Sequence, residues 1–227
     1  MGSTLADLHR IAAHVLGRRR FEVSGHFGLR ASPEGIATPA FGPEPEVLRL
    51  AGASLVREIG ADARSLPLEG STLDELATFA GTDLVAEFSA GNDTPPIGAP
   101  DEPLHLSSGQ LDPFYDWFDL GWRVLDHTVC AHDAVRRGST IQLWPEHFDM
   151  ATEVMLTAGS RVNLGFSPGD SFCPDPYVYV GPWGNERPGT AGYWNAPFGA
   201  FATKAQARDA AACLEFLRHG VDALVHG

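Results

Sequence analysis

The feature that most constrains this chain is a period-two alternation through its last four extended segments, "TIQLW", "HFDMATEVML", "RVNLGF" and "PYVYVGPW". Successive strand side chains point to opposite sides, so alternation fixes which residues share a face. One face collects Ile141, Leu143, Phe148, Met150, Val154, Leu156, Val162, Leu164, Phe166, Val178 and Val180, which is a core. The other collects Gln142, Trp144, His147, Asp149, Glu153, Arg161, Asn163, Tyr177, Tyr179 and Trp183. The wet side of an antiparallel sheet is normally built of small polar and charged residues. Aromatic rings on that side predict a cover: the C-terminal helix, the loop 184–199 with its own Tyr193, Trp194 and Phe198, a second copy of the chain, or a ligand.

The rest of the chain mixes helical and strand periods. Leu5, Leu8, Ile11, Ala12 and Val15 recur at threes and fours and predict a helix over about 4–17, closed by Arg18, Arg19 and Arg20. From Phe21 to Ala31 the pattern alternates, predicting a strand, and short strands continue through "GIATPAF", "EVLRLAG" and "SLVREIG". "STLDELATFAG" reads as a short helix with Ser or Thr at its start and Gly81 at its end. Residues 89–109 have the Pro, Gly, Ser and Asp content of an irregular connection. Asp112 and Pro113 then open a predicted helix to about Arg137, and Thr203 with Gln206 opens a last one ending near Gly220. The expected fold is α+β. Antiparallel strands form one curved sheet or two, and a long central helix and the N- and C-terminal helices pack on the apolar face. Residues 1–227 form one domain, with two similar halves, 1–88 and 110–227 joined by 89–109, as the alternative organisation.

Composition bounds the function classes. Hydrophobic residues make up 44% of the chain and charged residues 20%, enough apolar material for a folded core. Sixteen Lys and Arg against 29 Asp and Glu give a formal charge of −13, which repels phosphate backbones and anionic membrane surfaces, so neither nucleic acid nor membrane is an expected partner. No apolar run approaches the length of a membrane span. Cys130, Cys173 and Cys213 are an odd number at wide spacings, which reads as free thiols in a reducing cytoplasm. The "GRRRF" segment lacks the apolar stretch that an export signal requires after its arginines.

Candidate chemistry gathers on the polar, aromatic face. His147 and Asp149, two apart on one strand, place their Cβ atoms about 6–7 Å apart on the same side, within reach of one proton or one cation. Glu153 or Asp170 could complete such a site, yet spacing fixes no third ligand, so metal and cofactor stay unassigned. Arg161 would hold an anionic group, Tyr177 and Tyr179 would stack or hydrogen-bond, and Trp144, Asn163 and Trp183 would line the walls. Glu146 reads as a turn or rim residue. "GFSPGD" matches the nucleophile-elbow pattern, but the residue after Ser167 is Pro168, which has no N–H for an oxyanion hole, and Pro168-Gly169 suits a type II turn.

The segments "QLWPEHFDMA", "NLGFSPGD" and "PYVYVGPW" resemble the signature of a family of uncharacterised, mostly actinobacterial proteins, a domain of unknown function; "GIATPAF" resembles it more weakly. The resemblance implies a bacterial, cytoplasmic, single-domain protein and brings no catalytic role with it. Two functions remain. In the leading one a cleft lined by this face binds a small polar or anionic molecule, with His and carboxylate available for acid-base catalysis. In the alternative the same face is a non-catalytic interface, in a homodimer or with another chain. The residues leave open whether the protein is an enzyme.

Overall fold

The computed structural model describes residues 3–32, 35–157, 159–190 and 192–227. The fold is α+β, with two antiparallel sheets, a long central helix and helices near both ends of the sequence. The chain forms two compact units, Met1–Asp116 with Leu143–Phe148, and Trp117–Gln142 with Asp149–Gly227.

In the first unit the N-terminal helix is longer than its sequence pattern predicts. It runs as α1 (Ser3–Ile11), a π-helical turn (Ala12–Gly17) and α2 (Arg18–Ser24). Within it the Arg18 N–H reaches back five residues to Ala13 O. The arginines expected to close the helix are instead interior residues with partners: Arg18 pairs with Glu22 one turn on, at 3.0 Å, and Arg19 with Glu46 at 2.8 Å. Gly25 at φ 72 supplies the stop, its N–H donating to Phe21 O. The strand expected from Phe21 to Ala31 therefore shrinks to β1 (Arg30–Ser32), because two alternating pairs are a weaker signal than a four-residue ion pair and a left-handed glycine.

β1, β2 (Gly35–Ala37), β3 (Glu46–Ala51), β4 (Ser54–Ile59) and β5 (Asp62–Pro67) form an antiparallel meander in chain order. β3 buries Leu48 and Leu50, and β4 buries Leu55. β5 is almost wholly exposed and has no alternation to betray it; pairing with β4 alone makes it a strand. Glu46 is a buried carboxylate held by Arg19 and by Arg57 at 2.9 Å. Both arginines also donate to carbonyls ending α3 (Leu73–Ala80), Arg57 to Phe79 O and Arg19 to Gly81 O, where cations complement the helix dipole. α3 follows its sequence signals: Thr72 and Glu75 form a capping box and Gly81 takes φ 81.

The central helix α4 (Ser108–Ala131) starts earlier and ends sooner than 112–137. Its start signal is Ser107 with Gln110, whose side-chain oxygen accepts from the Ser107 N–H at 3.0 Å, and Pro113 lies inside the helix. The expected helix tail is β6 (Val135–Arg137), drawn into pairing with β8 (Asp149–Leu156). The boundary between the units falls between Asp116 and Trp117.

In the second unit, β9 (Arg161–Ser167), β10 (Tyr177–Pro182) and β11 (Ala200–Thr203) join these strands in the order β11–β10–β9–β8–β6. The register puts Met150, Phe166 and Val178 in one row and Val154 opposite Val162, and all five are fully buried. On this face Trp117 meets Phe166 edge-on with ring centroids 5.2 Å apart, and Gly121 lets helix and sheet close, since a Cβ there would stand 2.8 Å from the Phe166 ring. The C-terminal helix α5 (Ala210–His226) is capped by Asp209, not Thr203; the Thr203–Gln206 hydrogen bonds close a turn after β11. Gly220 does not end it. A side chain at 220 would overlap the Tyr193 hydroxyl, which donates to Phe216 O at 2.8 Å.

Candidate functional site

In the first unit, β7 (Gln142–Trp144) is followed by a turn over Pro145–Phe148, closed by the Phe148 N–H donating to Trp144 O at 2.7 Å. Phe148 takes φ 55, the one non-glycine residue among those described with left-handed backbone, a conformation costing roughly 1–3 kcal/mol that the surroundings must over-determine. They do so through α1. The buried His9 ring stacks on Phe148 (4.9 Å, 13°), and its Nε2–H donates to Pro145 O at 2.7 Å. Burial holds His9 below the ordinary imidazole range.

This turn displaces His147 from the strand expected to carry it. β8 begins at Asp149, so period-two alternation does not relate His147 to Asp149. The ring of His147, half exposed at 51%, lies between two carboxylates: Nδ1 is 3.0 Å from Asp93 Oδ2 and Nε2 is 3.2 Å from Glu146 Oε1. The two partners differ. Asp93 is 68% exposed, whereas Glu146 is 18% exposed and packs on Gly91, where any side chain would overlap its carboxylate. Gly91 and Asp93 belong to a loop organised by Thr94, whose hydroxyl oxygen accepts from the Ala90 and Gly91 N–H groups at 2.9 and 3.0 Å. The carboxylates sit at opposite ring nitrogens and cannot converge on one cation with it. Among the described residues no group of three or more His, Cys, Asp or Glu is arranged to hold a metal ion.

The irregular connection after this loop is fastened to the N-terminal helix. Arg10 donates to Ile97 O at 2.6 Å and Ala99 O at 2.9 Å, and His14 Nε2–H to Pro95 O at 2.6 Å. A stretch that reads as a linker is thereby an ordered strap whose free carbonyls are met by basic side chains four apart on a helix.

In the second unit, Asp149, Glu153, Arg161, Asn163, Tyr177 and Tyr179 share the face opposite the core, as alternation requires. Their groups are mutually committed. The Tyr179 ring crosses Gly165, where a side chain would overlap it, and its hydroxyl donates to Asp149. Tyr177 donates to Asp170 Oδ2 at 2.6 Å, while Asp170 Oδ1 accepts from the Phe172 and Cys173 N–H groups. Burial first, then the neighbouring carboxylate, pushes both phenols well above the ordinary tyrosine range, so they stay protonated donors. Arg161 pairs with Glu153 and lies over the Trp183 ring, 3.7 Å from its centroid, and Trp183 Nε1–H donates to Asn163 Oδ1 at 3.1 Å.

Rings cover the tyrosines. Phe198, from the 184–199 loop, stands 5.9 Å from the Tyr179 centroid and 5.1 Å from Phe172; Phe201 stands 5.7 Å from Tyr177. Phe172, Phe198 and Trp183 remain exposed. Ser167 is buried, its hydroxyl accepting from the Gly169 N–H, and Gly169 takes φ 107, while the Asp170 N–H donates to Cys173 O.

Of the residues singled out in the sequence, Trp144 and His147 belong to the first unit and Asp149, Glu153, Arg161, Asn163, Asp170, Tyr177, Tyr179 and Trp183 to the second. Sequence reasoning missed His9, Asp93 and His14 and read Glu146 as a turn or rim residue; it lies in the turn. The compact "SAGNDT" turn chemistry is the local signal that could have raised interest in Asp93. No family model, no curated protein and no solved structure matches this chain.

Proposed function

We propose that the protein binds a small molecule at the Pro145–Phe148 turn and passes a proton through His147. The observation that carries this reading is the unequal pair of carboxylates on one reachable imidazole. The less exposed Glu146 orients the ring through Nε2, and Nδ1 is the atom a substrate reaches by displacing the exposed Asp93 carboxylate. This is the arrangement by which a carboxylate fixes a histidine for acid-base work. Backbone strain at Phe148, supported by His9, falls on the same turn. Cys130, Cys173 and Cys213 are all free thiols, which suits a reducing cytoplasm. No helix among the described residues is long and apolar enough to cross a membrane.

The test is a thermal-shift screen of small amines, carboxylates and phosphates against the wild type, His147→Gln and Glu146→Gln. Compounds that raise Tm only when both residues are intact support the proposal. A panel that leaves the wild type unmoved, or stabilises all three proteins equally, refutes it.

A second reading rests on the other unit. Phe172, Phe198 and Trp183 are exposed while the polar groups beside them are occupied with one another, which suits a non-catalytic contact surface. Light scattering of wild type against a Phe172→Ser, Phe198→Ser variant tests it: a dimer that becomes monomeric favours this reading, and an unchanged mass removes it.

A further inference from the structure

Among the described residues of the N-terminal helix, three buried polar atoms have no hydrogen-bond partner, and His14 Nδ1 and Arg18 Nη1 are two of them. Both residues are 2% exposed and stand four apart across the π-helical turn. Both also face the same ring. His14 meets Phe88 edge-on at 6.3 Å, and the Arg18 guanidinium carbon lies 5.9 Å from the Phe88 centroid. The remaining groups of each are assigned. His14 Nε2 faces Pro95 O at 2.6 Å, so Nε2 carries the proton and Nδ1 is a bare acceptor. Arg18 Nε donates to Glu22 at 3.0 Å, and Nη2 stands 3.7 Å from Asp83, leaving Nη1–H as a donor.

A buried donor and a buried acceptor, both unpartnered and both on residues against Phe88, each carry an uncompensated desolvation cost, larger for the charged member. One group satisfies both: an O–H that donates to His14 and accepts from Arg18. Helix neighbours four apart have Cβ atoms about 5–6 Å from each other, which lets the two side chains turn toward one shared oxygen. An anion fits less well, because the Nδ1 lone pair would repel it, and a bare cation would be repelled by Arg18. We infer that a hydroxyl group, of which water is the smallest bearer, binds between His14 Nδ1 and Arg18 Nη1 under Phe88. It completes the ladder of Arg10, His14 and Arg18 that fastens the strap 88–99 to the helix. This site is independent of the His147 reading.

The test uses the intact protein labelled with 15N. Long-range proton–nitrogen correlation spectra near pH 7.5, about one unit above the ordinary imidazole value, should show His14 protonated at Nε2, with a long-lived nuclear Overhauser contact from a hydroxyl proton to the ring. A contact at the water frequency identifies water as the guest, and one at another frequency identifies the hydroxyl of a co-purified small molecule; either supports the site. An Nδ1-protonated ring, or no such contact, overturns it. Arg18→Met should abolish the contact and speed exchange of the Thr94 amide at least about fivefold. Persistence of the contact in that variant overturns the inference equally.

Discussion

Tyr179 on β10 lies across Gly165 on β9 and places its hydroxyl on Asp149 of β8. One missing Cβ thus lets a ring span two neighbouring strands and deliver a hydrogen bond to a buried carboxylate.

Gly165→Ala should displace that ring. A methyl at 165 would overlap Tyr179 in a packed layer, and overpacking costs about 1–3 kcal/mol. Urea denaturation should show the midpoint fall without a change in slope, and an unaltered midpoint would contradict the close approach.

Tyr179→Phe keeps the ring and removes the donor. Hydrogen bonds to charged groups contribute about 1.5–3 kcal/mol, so stability should drop by that order, and adding Gly165→Ala should cost less than it does alone. Additive losses would show that the two residues act separately.

Glu46→Gln should be among the most damaging changes at a charged residue in the first unit. It removes the charge that Arg19 and Arg57 share while the site stays buried, a loss of roughly 3–5 kcal/mol. Thermal unfolding of wild type and variant checks this, and a Tm change within error would show the two ion pairs to be idle.

Acid should weaken the protein before its carboxylates titrate. Burial holds His9 and His14 below their unfolded value of 6.5, so the unfolded chain binds protons that the folded chain refuses. Their contribution is complete above 6.5 and is lost as pH falls from there toward the folded values. Denaturation midpoints between about pH 7.5 and pH 5 should decline, and more shallowly in His14→Leu. Parallel declines would acquit His14.

What was legible in the sequence was local in character. Alternation correctly sorted Met150, Val154, Phe166 and Val178 from Glu153, Asn163 and Tyr179, because within a strand parity depends only on the neighbouring residue. The caps of α3 were equally readable, since Thr72, Glu75 and Gly81 act within a few residues. Signals of the same kind misled where a distant partner competed. Thr203 with Gln206 formed its hydrogen bonds and yet closed a turn, and Gly220 read as a helix stop although the Tyr193 hydroxyl requires its small size.

The candidate site followed the same division. The sequence located the stretch around Glu146, His147 and Asp149 but put His147 on one strand with Asp149, whereas His147 lies in the turn that precedes that strand and meets Asp93 and Glu146. Glu146 is next to His147 in the chain, whereas Asp93 is 54 positions away and His9 farther still. By itself the sequence determined which faces are apolar, since burial preference belongs to each side chain. Only tertiary structure decided which buried polar groups meet, because a hydrogen bond or ion pair depends on a few ångströms between segments that no local pattern relates.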